Sequence, residues 1–187
     1  MSSHVNRFEN AEFRTDRLES GEYEKCRFVG CHFRDARFDG FRFIDSHFDG
    51  CDLSLAGMKG AVLRNVRFSD CKLLGIRFDE CSGFGFSVAF ENSILDHSSF
   101  RGRRMKKTLF AQTRLRDADF TDCDLTAAQF DRCDLAGAVF LRTLLEKADF
   151  RTSFGFDIDP DRNRMKKAVF SLAGLPGLLT KHHIEIG

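Results

Sequence analysis

The side chains in this sequence that could do chemistry are seven cysteines, six histidines and an abundance of carboxylates. The cysteines are Cys26, Cys31, Cys51, Cys71, Cys81, Cys123 and Cys133. They could ligate a metal, form disulfides or act as nucleophiles, but no CxxC or CxxH pair is present. Cys31, Cys51 and Cys71 stand 20 apart, which on a stacked architecture would put them in one column and within disulfide reach. A reducing compartment and the small, apolar character of the thiol argue instead for free, structural cysteines. His4, His32, His47, His97, His182 and His183 show no ligand or triad spacing, and the glycines form no phosphate-cradling loop. Catalysis, a cofactor and a small-molecule substrate are therefore not expected.

What positions these side chains is a repeat. From Phe8, every fifth residue is large and apolar: Phe8, Phe13, Leu18, Tyr23, Phe28, Phe33, Phe38, Phe43, Phe48, Leu53, Met58, Leu63, Phe68, Leu73 and Phe78. The series fails at Gly83 and resumes two residues out of phase as Phe90, Leu95, Phe100, Met105, Phe110, Leu115, Phe120, Leu125, Phe130, Leu135, Phe140, Leu145 and Phe150. The repeat accounts for 22 Phe alongside no Trp and one Tyr. A period of five matches neither the helix nor the strand, so the chain must turn by a constant angle at each repeat. Two residues before each large one stands a second inward position, mostly Ala, Ser, Thr or Cys, with Phe41 and Arg103 as exceptions. Two residues after it the first block is rich in Gly, Asn and Asp, the residues of tight corners.

The stretch Ala118-Asp119-Phe120-Thr121-Asp122-Cys123-Asp124-Leu125 resembles the pentapeptide-repeat family, and the resemblance covers roughly residues 6 to 150. It implies an all-β solenoid, a right-handed quadrilateral β-helix with four repeats to a coil. Residues 20 apart should then stack about 4.8 Å apart. In the second block this predicts two Phe ladders (Phe90 to Phe150, and Phe100 to Phe140) alternating with two aliphatic ones, an interior with no room for a ligand.

Residues 1–150 read as the rod, with a register break at 79–89 that is either a bulge or a protruding loop offering Phe84 or Phe86 to a partner. Residues 151–187 read as an irregular last coil and a cap. The repeat misses steps at Gly155 and Pro160 and returns at Met165 and Phe170. Leu172, Leu175, Leu178 and Leu179 have helical spacing, and Ile184 and Ile186 alternate as in a short strand. Such a cap would cover the open end and could join two chains.

The segment FSDCKLLGIRF, the break after it and the ending FGFDIDPDRNRMKKAVFSLAGLPGLLTKHHIEIG resemble the gyrase-protecting branch of the family, the microcin- and albicidin-immunity and Qnr quinolone-resistance proteins. That resemblance implies a homodimer closed by a C-terminal helix and short strand. It also implies DNA gyrase or topoisomerase IV as partner and DNA mimicry as the mode of action, with no direct nucleic-acid contact. The candidate partner face is the cluster Asp117, Asp119, Asp122, Asp124, Asp131, Asp134 and Asp149. Its acidity is interleaved with arginines, and 29 Lys+Arg against 28 Asp+Glu leave a net charge of +1, where a mimic needs a negative field. A generic interaction scaffold is the alternative function. Arg104-Met105-Lys106-Lys107 recurs as Arg164-Met165-Lys166-Lys167, 60 residues or three coils later, so both could lie on one side and meet DNA or an acidic protein. No run is apolar enough to span a membrane and the first residues lack a signal-peptide pattern, so a cytoplasmic protein is expected.

Overall fold

The computed structural model describes residues 7–12 and 19–185. Phe13, Leu18 and Ile186 lie outside the described residues. The chain winds as a right-handed, four-sided parallel β-helix whose described large repeat residues from Phe8 to Phe150 point inward. The first side carries a seven-stranded parallel sheet, β1 (Arg7–Glu9), β3 (Arg27–Val29), β5 (His47–Asp49), β7 (Val66–Ser69), β8 (Val88–Glu91), β9 (Leu109–Ala111) and β10 (Gln129–Asp131). The fourth side carries β2 (Glu22–Glu24), β4 (Arg42–Ile44) and β6 (Val62–Arg64). The second and third sides are joined by single bridges such as Arg114↔Asp134 and Ser99↔Asp119.

The expected register of 20 is observed, with Phe28 opposite Phe48 and Phe110 opposite Phe130. Each phenylalanine therefore sits on the one a coil below. The stack on the first side runs unbroken through Phe8, Phe28, Phe48, Phe68, Phe90, Phe110, Phe130, Phe150 and Phe170. Ring centroids along it are 4.6 to 5.4 Å apart, nearly the strand spacing itself. A second stack joins Phe78, Phe100, Phe120 and Phe140, meeting the first edge to face.

The corners explain the turn-former position. Except after Phe78 and Phe150, the residue two after each described centre from Phe8 to Phe150 adopts a left-handed conformation, whether glycine (Gly50, φ 61°) or not (Leu55, φ 60°; Ala127, φ 57°; Lys147, φ 60°). Glycine, Asn and Asp accept this readily, while Leu, Ala and Lys hold it at a cost of about 1–2 kcal/mol each, offset by the ladder around them.

The break adds its two residues to one coil. Val66 pairs with Val88 and Arg77 with Ser99, a register of 22, and the rod then continues in step. At the far end, Phe156 and Ile158 turn inward where Gly155 and Pro160 leave the pattern, so the core is filled although the period is lost. The C-terminal helix is a 3₁₀ turn, Leu172–Leu178, followed by a shorter one, Thr180–His182. Ser171 caps the first by accepting a hydrogen bond from the Gly174 N–H. Ile158 N–H donates to the Gly177 carbonyl, and a Cβ at Gly174 would come within 2.8 Å of the Phe156 ring, so glycine is what lets the cap lie this close. Of the residues expected to form a short strand, Ile184 is exposed and in no ladder, and Ile186 lies outside the described residues.

Candidate functional site

All seven cysteines are buried free thiols, and several do more than fill space. Above Ala11, the corner column preceding the second side reads Cys31, Cys51, Cys71, Ser93, Thr113, Cys133, Ser153, each carrying a thiol or hydroxyl. At this corner the backbone N–H donates to the side chain one coil above, as from Cys31 to Cys51 Sγ (3.4 Å), Cys71 to Ser93 Oγ (3.0 Å) and Cys133 to Ser153 Oγ (3.0 Å). The same side chains donate to carbonyls one coil below, Cys51 to Phe28 and Cys133 to Phe110. The N–H groups of Cys26 and Thr143, at other corners, likewise donate to Ser46 Oγ and Asn163 Oδ1 one coil above, whereas at an alanine such as Ala128 the N–H folds back onto the preceding centre, Leu125. The thiols of Cys31, Cys51, Cys123 and Cys133 are thus hydrogen-bonded staples between coils, a role that apolar filler does not describe. Burial pushes the thiols of Cys81 and Cys123 up to about 12 and that of Cys133 to about 11, far from nucleophilic use. Among the described residues no group of three or more His, Cys, Asp or Glu could hold a metal.

The break is built around the other exception in the repeat. Arg103 occupies a position where the coils above place Cys123 and Thr143, which donate to the carbonyls of Phe100 and Phe120. Below Arg103 the coil is two residues longer. Its guanidinium reaches across the extra backbone to donate to the carbonyls of Asp79 and Cys81 (2.6 Å to Cys81), and it lies 5.3 Å over the Phe86 ring. Phe86 is 9% exposed and packs on Phe78, filling the layer that Gly83 leaves empty. The expectation that Phe86 could be offered to a partner is therefore corrected: it is the missing core residue of that coil. Phe84 is the outward one, 85% exposed.

The seven aspartates do not form one face. Each repeat advances one side, so Asp131 and Asp149 lie on the first side, Asp134 on the second with Asp117 at its corner, Asp119 on the third with Asp122 at its corner, and Asp124 on the fourth. Asp119, Asp124, Asp134 and Asp149 each accept from a backbone N–H two residues on, which fixes the turn. Every one of the seven also has a basic partner: Asp119 with Arg101 (3.0 Å), Asp122 with Arg142 (2.7 Å), Asp124 with Lys106 (3.3 Å), Asp131 with Arg132 (3.1 Å), Asp134 with Arg116 (2.7 Å), Asp149 with Arg151 (2.6 Å) and Asp117 with His97 (3.7 Å). Hydrogen bonds from Arg142 hold Asp122, and from Arg151 hold Asp149, below the usual carboxylate range. The surface is a mosaic of ion pairs rather than a phosphate-like stripe.

At the cap, Leu172 (87% exposed), Leu175 and Ile184 are open to solvent, whereas Leu178 packs against the core and Leu179 ends the 3₁₀ turn half-buried. No helix among the described residues is long and apolar enough to cross a membrane.

A filled four-sided solenoid, with a corner every five residues and side-chain staples between coils, is the architecture these residues define. The description "Pentapeptide repeat region" matches residues 21–83 and 86–150, and the chain belongs to the pentapeptide-repeat family. The gap in that match falls on the register break. No curated protein sequence matches the chain. Two solved structures of trypsin-treated variants of QnrB1, described as a plasmid-mediated fluoroquinolone resistance protein, superpose with a TM-score of 0.65. They share 16% and 15% identity, and the match covers 98% of this chain and 98% and 99% of theirs. HetL, a pentapeptide repeat protein involved in heterocyst differentiation regulation from the cyanobacterium Nostoc sp., is 16% identical over 88% of this chain and 86% of its own, with a TM-score of 0.45.

Proposed function

We propose that this protein is a non-enzymatic binding rod that docks on a bacterial type II topoisomerase, DNA gyrase or topoisomerase IV, and protects it from inhibitors. The observation that supports this reading is the end-to-end correspondence with the QnrB1 rod, a protein described by its part in fluoroquinolone resistance. The compact core supports the non-enzymatic part, since the repeat interior is packed with rings and leaves its chemistry on the outside. Preorganisation is what such a rod brings to a partner, because its outer side chains are fixed by the ladder before contact. Seven buried free thiols suit a reducing cytoplasm. The exposed Leu172, Leu175 and Ile184 at the cap would pair two chains tail to tail.

The paired, scattered aspartates favour a second reading, a scaffold for a different partner, because DNA mimicry calls for an unneutralised acidic surface. Sedimentation of the rod alone and mixed with purified gyrase or topoisomerase IV separates the two. A dimer that becomes a monomer on truncation after Phe170, and that co-sediments with either enzyme, is the expected result. No complex at tens of micromolar would leave the scaffold reading in its place.

A further inference from the structure

The positive charge of this near-neutral molecule is not spread evenly. Arg104 bridges Asp124, Asp124 bridges Leu144 and Leu144 bridges Arg164, so the two Arg-Met-Lys-Lys segments stand in register on the fourth side, three coils apart. At the strand spacing that is roughly 14 Å. The adjoining corner carries Lys107, Ala127, Lys147 and Lys167 one above another, each held in the left-handed conformation, and the N–H groups of Lys107, Ala127 and Lys147 donate to the coil above. From Arg104 to Lys167 this side presents Arg104, Lys106, Lys107, Lys147, Arg164, Lys166 and Lys167 against only two carboxylates, Asp124 and Glu146.

Most of these cations are uncommitted. Lys106 pairs with Asp124. Arg104, Lys107, Lys147, Arg164, Lys166 and Lys167 are exposed and have no ion pair among the described residues, in contrast to the arginines that neutralise aspartates on the other sides. No aromatic side chain faces outward between Arg104 and Lys167 on this side, and the space between the clusters holds Thr126, Ala127 and the half-buried Leu144. The centre of a protein–protein interface is depleted in charge and enriched in aromatics. A rigid face of free Lys and Arg in repeating rows is instead the chemistry of phosphate contact.

We propose that the fourth side binds the sugar–phosphate backbone of double-stranded DNA, with the Arg104–Lys107 and Arg164–Lys167 clusters reaching separate stretches of phosphates. This departs from the expectation of no nucleic-acid contact, and it stands independently of the enzyme partner proposed above. Recognition would be sequence-independent, because nothing on this side is arranged to read base edges. With about six phosphates engaged, log K should fall against log salt with a slope of about −5, a loss of roughly a thousandfold between 50 and 200 mM salt.

The test is fluorescence anisotropy of the full chain with a labelled 20-base-pair duplex at several salt concentrations. Micromolar binding at 50 mM salt with that slope is expected. The Arg164→Gln/Lys166→Gln/Lys167→Gln variant should lower the slope by about 3, and Arg104→Gln/Lys107→Gln by about 2, since each phosphate contact contributes roughly one. Arg37→Gln/Lys59→Gln, on the third side, should leave binding within about twofold. Absence of binding at 50 mM salt would overturn the proposal, as would equal loss in the third-side variant. So would tighter association with polyglutamate or with phosphatidylserine vesicles than with the duplex.

Discussion

Replacing Arg103 with Met keeps the length of the side chain and removes its fork. The structure assigns that fork two carbonyl acceptors, Asp79 and Cys81, and the face of Phe86 at 5.3 Å. Hydrogen bonds to a charged group contribute about 1.5–3 kcal/mol apiece when desolvated, and a cation over a ring about 0.5–1. Arg103 is half-buried, so the lower ends apply, and about 2–4 kcal/mol should be lost. For a chain of this size that is a fall in Tm of about 5–15 °C. The consequence is not only quantitative. In a solenoid each coil is coupled chiefly to its neighbours, and Arg103 ties the coil above the insertion to the insertion itself. Weakening it should broaden the unfolding transition, with the blocks before and after the break beginning to melt apart. The assay is thermal and urea unfolding by circular dichroism of Arg103→Met, of Arg103→Lys, which retains a single donor group, and of Arg101→Met, which removes an exposed pair with Asp119. The order of loss should be Arg103→Met, then Arg103→Lys, with Arg101→Met below about 1 kcal/mol. An Arg103→Met variant within about 0.5 kcal/mol of the parent, with an equally sharp transition, would refute the clamp.

Because burial raises the folded-state thiols of Cys81, Cys123 and Cys133 to about 11–12 from 9.0, the unfolded chain loses those protons first as pH rises. Stability should therefore hold below about pH 9 and decline above it, by up to about 1.4 kcal/mol per pH unit for each thiol, and a pH series of urea midpoints that is flat to pH 10.5 would contradict this. The native protein should accordingly resist thiol reagents until unfolded. Ala127, left-handed at φ 57°, should gain about 0.5–1 kcal/mol on replacement by Asn, read as a raised urea midpoint, whereas the same change at an Ala of ordinary conformation such as Ala128 should destabilise.

The ladder was legible in the sequence because its period is a property of the chain alone: Phe90, Phe110, Phe130 and Phe150 had to stack once four repeats made a coil. What was missed depended on relations between coils. Arg103 stands out in the sequence as an oversized residue in a small position, but its purpose requires knowing that the coil beneath carries two extra residues. Phe84 and Phe86 are two apart, and only the path of the loop decides that Phe86 fills the core. Phe156 and Ile158 replace the lost steps at Gly155 and Pro160 out of period, so periodicity could not find them. The scattering of the aspartates was within reach. Asp119 and Asp124 differ by one repeat and hence by one side, a consequence of the same four-per-coil rule that gave the ladders. The column of thiols and hydroxyls from Cys31 to Ser153 could have been read in the same way.

The functional account rests on protection of a topoisomerase, and the most direct measurement is supercoiling by purified gyrase at a fixed inhibitory dose of a cleavage-stabilising quinolone, titrated with the full chain. The account predicts that supercoiling returns as the protein is added and that truncation after Phe170 abolishes the effect. Supercoiling that stays inhibited up to tens of micromolar protein would contradict it.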